Sequence, residues 1–170
     1  PFGTDSKPVL SKTFKILQKK RLDRQSQELK FLSVGVDWKR KNMEKSILVV
    51  KEINSLGVKS TITIVGSVPP SDFKVPKFVK IVPFLSKRNL KDQNKLRNLY
   101  LSCDYFILLS KAEAYGLVIQ EAKSYGLPII TNNIDGIKYI TDKSYTILNN
   151  KNKIPKKIAT KILSINKKKY

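Results

Sequence analysis

The chain reads as an α/β protein, a doubly wound parallel sheet of about six strands with helices between them. Three observations predict this. Short apolar runs without polar alternation recur along the chain, as strands buried on both faces require. Stretches of helical period separate them. Glycine, proline and asparagine punctuate the joins.

The elements follow in order. KFLSVGV (30–36) is a first strand. Asn42 to Leu56 is a helix with Met43, Ile47, Val50, Ile53 and Leu56 at helical spacing and Gly57 as its stop. STITIVG (60–66), β-branched and ended by glycine, is a second strand. Pro69-Pro70-Ser71-Asp72 is a loop, and FVKIVPFL (78–85) carries a third strand that Pro83 is expected to end. Leu90 to Leu101 is a helix with apolar positions at Leu96, Leu99, Tyr100 and Leu101, and DYFILLS (104–110) is a fourth strand. A helix over about 116–125, the strand LPIIT (127–131), a short helix near 135–140 and the strand YTIL (145–148) complete the alternation. In the tail, Ile154, Ile158, Ile162 and Ile165 recur at intervals of four and three, which predicts an amphipathic helix. Residues 1–28 read as a linker with one poorly patterned helix, 29–150 as the ligand-binding domain, and 151–170 as a basic amphipathic helical tail.

Composition bounds the chemistry. At 170 residues one domain is the expectation. No apolar run approaches the roughly 18–20 residues of a membrane span. The chain starts at Pro1 with no signal-peptide pattern, and this start is read as cut from something longer. Cys103 is the sole cysteine, which excludes an internal disulfide; it is expected buried and inert, with the cytoplasm as compartment. There is no histidine, so neither a histidine base nor a histidine metal ligand exists. Carboxylates, lysine, arginine and backbone dipoles must carry any activity. Basic residues outnumber acidic ones 34 to 13, a net charge of +21. That balance favours anionic partners: a nucleotide-sugar, an anionic membrane face or a nucleic acid. It also fits the scattered Lys, Asn and Ile of an AT-rich genome. Nucleic acid is the weakest of these candidates, because aromatics lie in apolar runs rather than between basic residues.

The most informative stretch is SKAEAYGLVIQEAKSYGLPIIT (110–131). The fourth strand runs into a polar loop ending at Glu113. A helix then opens near Gly116, where first-turn N–H groups can face an anion. Glu121 lies one to two turns into that helix, near the ligand end. A carboxylate, amide donors and a second carboxylate suit a sugar joined to a diphosphate and a ribose. Neither a GxGxxG nor a GxxxxGK[ST] is present, so a diphosphate must be held by another route. SVGVDWKRKN (33–42), at the end of the first strand, offers one: glycine followed by a basic turn.

The string Glu113, Tyr115, Gly116, Leu117, Glu121, Ala122, Gly126 and Pro128 resembles the donor-binding signature of retaining GT-B glycosyltransferases of family 4, or group 1. Gly35, Asp37, Trp38, Arg40 and Lys41 resemble a Gly-x-Asp-Trp-x-Arg-Lys variant of the family's first-strand motif, with Asn42 where glycine is usual. PFGTD at the start resembles the family's interdomain segment. The resemblance implies the Rossmann-like half of a GT-B fold that binds a nucleotide-diphosphate sugar as substrate, with no metal and no cofactor. It implies that Lys41 and Arg40 stabilise the leaving diphosphate together with the amides near Gly116 and Leu117. Glu113 then contacts the donor sugar, Glu121 the ribose, and the base lies against the loop around Pro83, Phe84 and Leu85. Gly35, Asp37 and Tyr115 complete the implied nucleotide-sugar site. Asp135-Gly136 and Tyr139 match the family's Gly-Gly turn and its following acid only in part. The acceptor-binding half is expected to precede Pro1, so this chain alone is expected to transfer nothing. The location implied is the cytoplasm, with the inner membrane face as a candidate surface, in polysaccharide or glycolipid biosynthesis. The competing readings are a non-catalytic basic nucleotide- or anion-binding module and another GT-B enzyme such as a sugar-nucleotide epimerase. The latter usually shows site histidines.

Overall fold

The computed structural model describes residues 28–134, 137, 146–149 and 155–167. The expected linker and PFGTD segment, the short helix near 135–140 and the positions Asp135, Gly136 and Tyr139 lie outside the described residues.

Six strands form one parallel sheet: β1 (Leu29–Val34), β2 (Ser60–Val65), β3 (Val79–Val82), β4 (Tyr105–Leu108), β5 (Ile129–Asn132) and β6 (Thr146–Asn149). Their spatial order is β3-β2-β1-β4-β5-β6, with every pairing parallel. This is the strand order of the doubly wound dinucleotide-binding fold, and it reverses between β1 and β4. β1 is central, with Phe31 opposite both Ile62 of β2 and Tyr105 of β4. All four residues of β4 and of β5 are buried, which is why these strands read as continuous apolar runs.

Four helices are described: α1 (Met43–Ser55), α2 (Leu90–Ser102), α3 (Leu117–Ser124) and α4 (Pro155–Lys167). α1 buries Met43, Ile47, Val50 and Ile53 as its spacing predicts, whereas Leu56 lies past its end and is exposed. Gly57, at φ 85°, stops it: its N–H bonds Asn54 O and that of Val58 bonds Ile53 O, the paired closure that only a left-handed residue permits easily. Gly126 ends α3 in the same way. α2 starts on Asn89, whose side chain accepts from the N–H groups of Lys91 and Asp92. It buries only Leu96 and Tyr100 fully, with Leu99 and Leu101 half-buried. α4 packs on α1 through Ile158, Ala159 and Ile162, so this part of its apolar stripe is covered within the domain.

Element limits moved by one or two residues. β1 stops at Val34, and β2 stops at Val65, where Gly66 takes φ 88° and turns the chain. Pro83 ends β3 as expected, but Phe84 and Leu85 lie outside the strand and enter the loop above it. Cys103 is buried and forms no disulfide. No helix among the described residues is long and apolar enough to cross a membrane.

Candidate functional site

In a doubly wound sheet, ligands bind in the crevice outside the carboxyl ends of the strands where their order reverses. A cleft of about 660 Å³ opens at that end. Its walls come from the ends of β1 and β2 (Val34, Gly35, Val36, Val65, Gly66), the basic turn (Arg40, Lys41), the loop after β3 (Phe84 to Arg88), Leu96 of α2, and Val118 and Glu121 of α3.

The basic turn is built by its own sequence. The Asp37 carboxylate accepts from the Arg40 N–H at 2.9 Å and pairs with the Arg40 guanidinium at 3.4 Å. The hydrogen bond from the Arg40 amide, more than the guanidinium, holds the Asp37 carboxyl below its ordinary value. Asp37 thus shapes the turn and does not itself line the cleft. Trp38 is buried, donates to Glu44 at 3.1 Å and packs edge-on against Phe73. Asn42 follows in the left-handed region at φ 52°, ψ 48°, a conformation that suits glycine and, among other residues, best suits asparagine. Its side chain donates to Leu109 O at 3.1 Å, so the residue that breaks the expected glycine also ties the turn after β1 to the end of β4. A backbone bond from Lys111 N to Arg40 O, at 2.9 Å, makes a second tie. Asn42→Ala is expected to cost about 1–3 kcal/mol, from left-handed strain plus the lost hydrogen bond, read as a lower urea midpoint. Asn42→Gly removes only the hydrogen bond and is expected to cost less.

Lys41 makes the third tie. Its ammonium lies 2.5 Å from Glu113 Oε1, and both side chains are nearly buried, at 9% and 6% exposure. Ser110 donates to the same oxygen at 2.6 Å, and Asn132 of β5 holds the Ser110 carbonyl at 2.7 Å. The stem of Lys41 lies across Gly35: a β-carbon there would sit 2.8 Å from Lys41 Cγ. Gly35 is therefore the residue that lets the lysine cross the strand end, a role for which glycine's missing side chain is the reason.

Glu121 is buried on the other wall. Its Oε2 accepts from the Tyr100 hydroxyl at 3.2 Å and from the Lys87 ammonium at 3.0 Å. Oε1 carries no hydrogen bond among the described residues. Lys87 and Arg88 sit on the loop after β3, which is fixed where Ser86 N donates to Asp92 at 3.0 Å.

Of the residues singled out in the sequence, Gly35, Arg40, Lys41, Phe84, Leu85 and Glu121 line one cleft. Glu113 is joined to it through Lys41 rather than lining it. Gly116 caps α3 at φ 56°, with Leu117 and the exposed Tyr115 beside it, outside the cleft wall; Val118 takes the lining position. Lys87, Arg88, Tyr100, Ser110 and Asn132 were missed. The adjacent Lys87-Arg88 pair, a few residues after Phe84-Leu85, was the available signal for two of them. Tyr100 read as an apolar helix position, and nothing in its spacing reveals where its hydroxyl goes. Among the described residues, no group of three or more His, Cys, Asp or Glu side chains is placed to hold a metal.

Burial, and then the nearby Glu121 charge, pushes the Tyr100 phenol well above its ordinary value of 10.0, and the same two causes raise Tyr125. The folded state therefore keeps protons that the unfolded chain releases. Stability from the neutral phenols is whole below about pH 10 and falls as pH rises beyond it. Urea midpoints measured between about pH 9 and pH 11 are expected to drop more steeply in the wild type than in Tyr100→Phe.

The chain matches the family described as "Glycosyl transferases group 1" over residues 14–169. No curated protein matches it significantly in sequence. Among solved structures it is similar to WaaG, a glycosyltransferase involved in lipopolysaccharide biosynthesis, with TM-score 0.69 and 20% identity over 94% of this chain and 43% of that one. It is similar to Alr3699/HepE of Anabaena, solved with UDP and glucose, with TM-score 0.61 and 15% identity over 92% of this chain and 43% of that one. It is also similar to the pneumococcal O-GlcNAc transferase GtfA, solved with UDP and GlcNAc, with TM-score 0.60 and 17% identity over 84% and 29%. The chain thus spans less than half the length of each of these proteins. At such identities the likeness is one of fold, the Rossmann-like half of a GT-B glycosyltransferase. Since the family match extends over nearly the whole chain, and the fold agrees with it, the chain belongs to the group 1 glycosyltransferases.

Proposed function

We propose that this chain is the donor-binding half of a retaining, metal-independent glycosyltransferase that takes its sugar from a nucleotide-diphosphate sugar. The observation that carries the reading is the cleft itself: Arg40, Lys41, Lys87 and Arg88 converge on a crevice at the strand-order reversal, with Glu121 in its wall. Breaking a sugar–phosphate bond leaves negative charge on the departing nucleoside diphosphate. Fixed cations placed where that charge grows lower the barrier without reorganising. One cation at 4 Å contributes about 4 kcal/mol at an effective dielectric of 20, and a factor of ten in rate needs only about 1.4 kcal/mol.

Each residue then has a role. Lys41, held by Glu113, which Ser110 holds in turn, presents its ammonium at the edge of the cleft, and Arg40 supplies a guanidinium beside it. Glu113 receives hydroxyls of the donor sugar, and Glu121 accepts from the ribose diol as a charged acceptor. Phe84, exposed on the cleft wall beside Leu85, offers a face for the base. The amides at the start of α3, capped by Gly116, add dipole to the diphosphate. The acceptor hydroxyl attacks from the face the leaving group departs, and the leaving phosphate takes its proton.

An acceptor-binding half completes the cleft, in keeping with the share of WaaG and HepE that this chain covers. The chain alone therefore binds a donor weakly and transfers nothing. The excess of positive charge suits a cytoplasmic enzyme at the inner face of an anionic membrane, making a polysaccharide or glycolipid. Titration calorimetry with UDP, GDP and ADP in EDTA tests the reading. At least one should bind, with affinity unchanged by added Mg²⁺ and weakened by salt. Binding only when Mg²⁺ is present would overturn metal independence, and no binding would overturn the site.

A further inference from the structure

We propose that Tyr100 is a positioning residue for Glu121, setting which carboxylate oxygen meets the ribose. The inference rests on the donor-site reading above and deepens it. Tyr100 lies on α2, 21 residues before Glu121, and is fully buried. Its ring stacks on Tyr125, centroids 5.0 Å apart and 6° from parallel, and on Phe106 at 6.2 Å. Both ring partners belong to the core, so the hydroxyl has a fixed origin and a fixed direction. It donates to Oε2 of Glu121 from the core side at 3.2 Å.

Lys87 donates to the same oxygen at 3.0 Å, but from the cleft and from a side chain still 46% exposed. The two donors differ in kind. The tyrosine is locked by packing, whereas the lysine rides on a loop and stands among the cations that face the diphosphate. An incoming phosphate can therefore draw Lys87 away without freeing the carboxylate, because Tyr100 keeps Oε2. Oε1 is left as the acceptor for a ligand diol. A carboxylate pinned on one oxygen pays no rotational entropy when the other meets the ligand.

The test is a comparison of ribonucleotides with nucleotides that lack the diol. UDP, GDP and ADP, and their 2′,3′-dideoxy counterparts, are titrated against the wild type and Tyr100→Phe, which keeps the ring stack. The wild type should prefer the ribose form of the nucleotide it binds. In Tyr100→Phe that preference should fall about tenfold, while the dideoxy affinity stays within about twofold of wild type. In a Glu121→Ala background, titrated at nucleotide concentrations high enough to read the residual binding that a thermal shift does not register, Tyr100→Phe should change the preference no further. A change that weakens both series equally marks Tyr100 as a packing residue only and overturns the inference. So does an unchanged preference, or a Tyr100→Phe effect that persists without Glu121. If no nucleotide of either series binds the wild type, the donor-site reading itself falls, and this inference with it.

Discussion

Lys41→Met is expected to lower the stability of the ligand-free chain by about 3–5 kcal/mol, and its Tm by on the order of 10 °C. The reason is the company Lys41 keeps. The side chain of its partner Glu113 is 6% exposed, and the ammonium lies 2.5 Å from Glu113 Oε1. Without the ammonium, that carboxylate retains only the Ser110 hydroxyl among the described residues. Leaving one buried charge uncompensated costs far more than the pair itself is worth. The double change Lys41→Met with Glu113→Gln should therefore recover much of the loss, because two neutral side chains of similar volume replace two ions. Urea unfolding of the four chains, with m-values checked for constancy, gives the coupling. A single-mutant cost below about 1 kcal/mol would mean the pair is solvated and does not hold the two loops together. Lys41→Met should also abolish any stabilisation by a nucleoside diphosphate, since it removes one of the two cations of the basic turn that line the cleft and leaves only Arg40, which is already paired with Asp37.

Glu121→Ala is expected to have the second large effect, and it falls on the ligand rather than the fold. A nucleotide held at about 100 times its dissociation constant stabilises a protein by about 2.7 kcal/mol, worth about 5–10 °C for a chain of this length. Glu121→Ala should erase that gain, leaving the melting curve insensitive to nucleotide. The ligand-free chain loses less, about 1–3 kcal/mol, because the buried Tyr100 hydroxyl loses its hydrogen bond to Glu121. Glu121→Gln keeps an oxygen for Tyr100 and so should recover stability before it recovers binding. A Glu121→Ala chain that still gains several degrees from nucleotide would place the ribose elsewhere.

The sheet was legible because burial on both faces writes itself as apolar runs: DYFILLS and LPIIT lead to β4 and β5, every residue of which is buried. Helix ends were legible where glycine marks them, at Gly57 and Gly126. Limits were less so. Pro83 marks where β3 stops, but that Phe84 and Leu85 then line a cleft was legible only through the family resemblance and not from their own spacing. The site divides in the same way. Glu121, Lys41 and Gly35 stood out because spacing along the chain fixes them relative to a strand end or a helix start. Lys87 and Tyr100 meet Glu121 from 34 and 21 residues away, through the packing of α2 on the sheet, which no local spacing encodes. Asn42 shows the reverse case. A departure from the expected glycine turned out to keep the left-handed turn and add a bond to Leu109.

The central claim is that a basic turn and a buried acid on opposite walls of one crevice grip a nucleoside diphosphate. A thermal-shift panel of UDP, GDP and ADP in EDTA, at moderate salt, measures it most directly. A rise in Tm is expected with at least one nucleotide in the wild type, and none in Lys41→Ala or Glu121→Ala. A flat response in the wild type, or a rise that survives both substitutions, would contradict it.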